Sequence, residues 1–170
     1  MESESKTFTF IQFSDVHLDS PQNSGVLYYS PAKCQERYAD FVETFVTALA
    51  MAKENEVDAV FVPGGLWSQE TIRSQTAGTV LEAIEQIAPI PVYITPGEHD
   101  PYTIDSPYSS KFLSALGMRS WPQNAIIFNS TTFKTLTHPW RNDVTITGRA
   151  YKQAGLDENR YLEEPINISE

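Results

Sequence analysis

The chain has 170 residues, enough to enclose one hydrophobic core, and 41% of them are apolar, which excludes a wholly disordered polypeptide. Twenty-two acidic against twelve basic residues leave a net charge of −10, which excludes the broad basic surface that nonspecific nucleic-acid binding relies on. The single cysteine, Cys34, excludes an internal disulfide framework, and the absence of an apolar run near ~20 residues or of a signal core after Met1–Lys6 points to a membrane-free, cytoplasmic protein.

Along the chain, Thr7–Phe13 alternates apolar and polar residues and predicts a strand. Ser14–Pro31, rich in Ser, Pro, Asn and Asp, predicts a loop. From Gln35 to Asn55 the period changes: Tyr38, Phe41, Val42, Phe45, Leu49 and Ala52 form one helical stripe. Val57–Val62 is a short, β-branched apolar run stopped by Pro63-Gly64-Gly65, which predicts a buried strand and a sharp turn. A second helix is expected over Glu70–Ile87, with Ala77, Val80, Leu81, Ile84 and Ile87 on its apolar face. Val92–Thr95 forms a third strand, stopped by Pro96-Gly97. Strand and helix in alternation predict an α/β fold with right-handed crossovers and a parallel sheet.

The rhythm then shifts. Ser109–Leu116 predicts a short helix ended by Gly117. Ala125–Phe128, Thr131–Leu136 and Val144–Thr147 predict strands joined by tight loops, and hence antiparallel pairing in the second half. The tail from Gly155 is polar and acidic without a clear closing element, and residues 1–170 read as a single, partial domain.

In open α/β sheets, ligands gather at the carboxyl ends of the strands. Three strands here end in unusual sequences: Ser14-Asp15-Val16-His17-Leu18-Asp19-Ser20-Pro21, Pro63-Gly64-Gly65-Leu66-Trp67 and Pro96-Gly97-Glu98-His99-Asp100. If the first is extended, Asp15 and His17 point the same way, so that a carboxylate oxygen and an imidazole nitrogen share one metal ion. His99 suits a general acid, with Asp100 orienting or charging its ring, and Glu98 offers a further metal ligand. Each motif alone is weak: a solvated loop histidine or an exposed polar turn accounts for it better. The three in order, each after a short apolar strand, carry more.

In that order the chain resembles the amino-terminal half of a calcineurin-like metallophosphoesterase, a family with D-x-H after its first strand, G-D after its second and G-N-H-[DE] after its third. The segment from Phe13 to Pro21, the helix that includes Arg37 and the run Val57–Val62 are most similar to the DNA-repair exonuclease subgroup. The resemblance implies a layered αββα sandwich, of which this chain would be incomplete on the carboxyl-terminal side. It implies hydrolysis of phosphodiester bonds, with DNA or another phosphodiester as partner and a divalent metal as cofactor, manganese first and zinc or iron next.

By the same resemblance Asp15 and His17 bind the first metal, and His99 contacts the scissile phosphate and assists the leaving oxygen. Two positions depart from the pattern. Gly65 stands where the family has the Asp that bridges both metals, and Glu98 stands where it has an Asn ligand. The later histidines of the family have no counterpart, since His138-Pro139-Trp140 matches none of their motifs and reads as a loop. The resemblance therefore implies a metallophosphoesterase with weak or partial metal occupancy and little or no activity. Gly65→Asp is expected to raise metal affinity first. The alternative is a noncatalytic relative that uses the fold for binding or assembly, with a protein partner or a second copy of the chain completing the fold. Trp67, Trp121 and Trp140 read as packing or loop anchors, and Cys34, with no base nearby, as an unreactive thiol.

Overall fold

A computed structural model describes residues 7–21, 29–68, 70–118 and 120–152. The acidic tail from Gly155 lies outside them. The first strand, β1, covers Phe10–Gln12. Helix α1, Pro31–Glu54, follows. This helix starts ahead of its apolar stripe because Ser30 caps it, its hydroxyl accepting from the Lys33 amide at 3.3 Å, and because Pro31 is pre-set for a first turn. Strand β2, Ala59–Pro63, is followed by helix α2, Ser74–Gln86. Here the helix starts later than the sequence predicts, since the Thr71 amide donates to the Ser68 carbonyl and closes a separate turn first. Strand β3 is Val92–Thr95, helix α3 is Ser110–Ala115 and strand β4 is Ala125–Ile127.

These four strands form one parallel sheet in the order β1-β2-β3-β4, with Ile11 beside Val60, Val60 beside Val92 and Ile94 beside Ile127. The parallel placement of β4 corrects the expectation of antiparallel pairing throughout the second half. The stretch 96–124, with α3 inside it, is long enough to carry the chain back to the same end of the sheet. The antiparallel expectation holds for the last two strands, β5 (Lys134–His138) and β6 (Arg141–Gly148), which form a separate hairpin.

The alternation of side chains along the strands makes two apolar layers. Val60, Val62, Val92 and Ile94 face α1 and α2 and pack with Phe45, Leu49, Val80 and Ile84. Ala59, Tyr93 and Phe128, with Phe61 and Ile126, face the other way and pack with Ile146 and Val144 of the hairpin. The mixed α/β architecture expected from the sequence is thus present as helices, parallel sheet and hairpin in layers.

His138, read from the sequence as a loop residue, instead ends β5 and is 1% exposed. Its Nε2 pairs with the Asp58 carbonyl at 2.9 Å, and its ring meets Phe8 and Trp140 edge-on. It fastens the hairpin to the entry of β2, far from a ligand role. Among the described residues no helix is long and apolar enough to cross a membrane.

Candidate active site

The loops after β1, β2 and β3 lie side by side at the carboxyl ends of the sheet. The Phe13 amide donates to the Phe61 carbonyl at 3.1 Å, Asp15 to Gly64 at 3.2 Å, His17 to Gly65 at 2.8 Å and Leu18 to Leu66 at 3.0 Å. Loop 1 is therefore zipped along loop 2 beyond the end of regular pairing, and Leu18 still bridges Trp67 in parallel.

Loop 1 is not the extended segment the sequence suggests. Asp15, His17 and Asp19 have φ of 56°, 47° and 64°, left-handed at every second residue. Asp and His tolerate that region better than most side chains do, and the backbone bonds to loop 2 hold them there. The two side chains still meet: Asp15 Oδ1 lies 3.7 Å from His17 Nε2, and the Ser14 hydroxyl donates to Asp15 Oδ2 at 2.7 Å. Asp15 is largely exposed and His17 about one-third so. The His99 ring stands edge-on to His17 with centroids 5.0 Å apart. Of the five residues proposed from sequence, Asp15, His17 and His99 are thus brought together. Glu98 is exposed and makes no hydrogen bond or ion pair with the other described residues.

Asp100 is elsewhere engaged. Its carboxylate is fully buried. Oδ1 accepts from the amides of Gly65 at 3.0 Å and Gly97 at 2.8 Å, and Oδ2 accepts from the Leu66 amide at 2.8 Å, the Trp67 amide at 3.4 Å and the Tyr108 hydroxyl at 2.5 Å. A carboxylate has about four lone-pair sites, and these donors fill them. This corrects the idea that Asp100 orients or charges the His99 ring: no acceptor capacity is left for it. Burial, with the Asp100 charge beside it, pushes the Tyr108 phenol well up, so the hydroxyl remains a donor.

Sequence reasoning passed over two further positioning groups. Tyr108 gives no signal in its spacing. Asp19, whose side chain is 1% exposed, accepts from the Arg73 amide at 2.8 Å, from Arg73 Nε at 2.7 Å and Nη2 at 2.5 Å, and from the Thr76 hydroxyl at 3.0 Å. It ties loop 1 to the start of α2. An Asp two residues after the D-x-H motif was the available clue, but its partner lies 54 residues away.

A two-cation centre requires a carboxylate between ions ~4 Å apart. The residues here do not fit one. A Cβ at Gly65 would lie 2.9 Å from the Asp15 Cα and 3.1 Å from its amide nitrogen, so the Asp15 backbone fills the room a bridging side chain would use. Gly65 also has φ of 67°, which glycine adopts freely and other residues at a cost. The side chain of Gly65→Asp, expected to raise metal affinity, would have to displace this backbone. Among the described residues no group of three His, Cys, Asp or Glu side chains is arranged to hold a metal ion. Asp15 and His17 offer two donors, fewer than the three protein ligands of a catalytic site.

A search of curated proteins returns no match. The family model for calcineurin-like phosphoesterase, a family that generally binds divalent metals, matches residues 8–170. That match spans all three motif loops and the sheet that presents them, and this chain therefore belongs to the calcineurin-like phosphoesterase family, with a phosphoesterase-type hydrolase domain.

Proposed function

We propose that this domain is a phosphodiester-facing member of the family that hydrolyses its ligand slowly or not at all, with DNA as the first ligand to test. The supporting observation is the donor set. His17 meets both Asp15 and His99, while Gly65 supplies no carboxylate and Glu98 does not join them. The DNA reading rests on the motif from Phe13 to Pro21 and its similarity to the exonuclease subgroup.

The chemistry sets the scale. Attack on a phosphodiester adds negative charge to its oxygens, which cations or preorganised donors must offset. The rim carries the carboxylates of Asp15 and Glu98, and among the described residues no Lys or Arg pairs with either. His99 can donate a proton to the leaving oxygen, worth ~10²–10⁴-fold. Enzymatic accelerations begin near ~10⁶-fold, so His99 by itself leaves most of the barrier in place.

A noncatalytic role in assembly is the second reading. The observation that favours it is the edge of the sheet at β1, where among the described residues no strand pairs on the outer side and Phe10 is 52% exposed. A protein partner or a second copy of the chain would cover that edge.

Manganese-dependent cleavage of bis-p-nitrophenyl phosphate and of linear DNA, by the wild-type chain and His99→Ala side by side, tests the proposal. Both are expected to stay near background. Robust wild-type turnover that His99→Ala abolishes overturns it.

A further inference from the structure

The three loops of the rim lead back to one buried anion. Loop 1 hangs from loop 2, since the amides of Asp15 and His17 donate to the carbonyls of Gly64 and Gly65. Loop 2 hangs from Asp100 through the amides of Gly65, Leu66 and Trp67. Loop 3 carries Asp100 itself and folds back onto it through the Gly97 amide at 2.8 Å. The Tyr108 hydroxyl closes the last acceptor site from beyond loop 3. His99 is the residue just before it in the chain, so its ring is placed by the same carboxylate that places the turn under His17.

We infer that Asp100 is the positioning residue of this rim, and that its carboxylate, in place of a shared cation, fixes the three loops against one another. A buried charge is costly unless its hydrogen bonds are complete, and here they are. Bonds from amides to an ionised acceptor are about twice as strong as neutral ones, and they reinforce one another away from water. The place where a bridging carboxylate would draw two cations between the loops is filled by the Asp15 backbone. The geometry of Asp15, His17 and His99 should therefore persist when divalent metal is removed. This inference depends on how the loops pack, whether or not the rim turns over a phosphodiester, so the cleavage assay and the test below fail separately.

The test is nuclear magnetic resonance on the full isotope-labelled chain, reading the contact between the His17 and His99 rings and the amide shifts of Gly65, Leu66 and Gly97. Methyl signals of Val60 and Ile84 report on the core. In the wild type, EDTA is expected to leave the ring contact and the three amides unchanged. Asp100→Asn swaps one acceptor for a donor. It is expected to lose the ring contact and to shift the three amides upfield with the core methyls in place, and added zinc is expected not to restore them. If Asp100→Asn fails to fold, Tyr108→Phe decides. It removes one donor to Asp100 and is expected to shift the Leu66 amide and weaken the ring contact. A wild-type ring contact that vanishes in EDTA, a contact restored by zinc in Asp100→Asn, or wild-type shifts in a folded variant overturns the inference.

Discussion

Gly65 and Gly117 provide a comparison that isolates the contact with Asp15. Both have nearly the same left-handed backbone, φ of 67° and 68°. A Cβ added at Gly117 meets nothing within 4 Å, whereas one at Gly65 meets the Asp15 Cα at 2.9 Å, its amide nitrogen at 3.1 Å and its Oδ1 at 3.1 Å. An alanine in this region costs ~1–2 kcal/mol in backbone strain, and the stiffer unfolded chain returns ~0.4–1 kcal/mol, at either site. Gly117→Ala should therefore lose about 1 kcal/mol. Gly65→Ala carries the same strain and adds an overpacked contact against backbone, worth about 1–3 kcal/mol, for a total of about 2–4 kcal/mol. Urea denaturation of the two variants and the wild type, at matched slopes, measures both losses. Equal losses at the two sites would refute the reasoning, because the space at Gly65 would then be open to the side chain that the family carries there. Gly65→Asp brings the same Cβ and is expected to show the same loss, with no gain in retained metal.

Elemental analysis of manganese-loaded, gel-filtered protein should find no more than one equivalent, and two tightly held equivalents would contradict the donor set around Asp15 and His17. Arg73→Ala strips the buried Asp19 of its guanidinium partner; breaking a buried pair costs ~3–5 kcal/mol, and with Arg73 itself 43% exposed the loss in chemical denaturation is expected to be about 2 kcal/mol. A loss within about 0.5 kcal/mol, the range of ordinary surface changes, would show that the clamp between loop 1 and α2 is idle. In the hairpin, the Arg141 guanidinium bonded to Asp143 lowers that carboxyl to about 2. A depressed acid stabilises the fold above its unfolded value and stops doing so as pH falls through the folded one. The stability difference between wild type and Asp143→Asn should thus be constant above pH ~4 and shrink towards pH ~2, and a difference that grows on acidification would reverse the assignment.

Periodicity carries much of this fold in the sequence itself. The stripes of α1 and α2 and the β-branched runs of β2 and β3 follow from the need to bury one face of a helix and both faces of a parallel strand. Local chemistry likewise announced the three strand-end loops, since Pro63-Gly64-Gly65 and Pro96-Gly97 stop β2 and β3 and a polar run from Ser14 follows β1. Partners remote in sequence were another matter. That β4 joins β3 in parallel, that His138 seats a hairpin on Asp58, and that Asp19 holds Arg73 all depend on which segments meet after the chain has crossed the sheet. The site shows the same division. Asp15, His17 and His99 were legible as a cluster because each follows a strand at the same end of one sheet. The role of Asp100 was not, because a carboxylate beside a histidine reads alike whether it faces the ring or turns inward. Tertiary packing alone directed it inward, by presenting the amides of two glycine turns and a buried phenol at hydrogen-bonding distance.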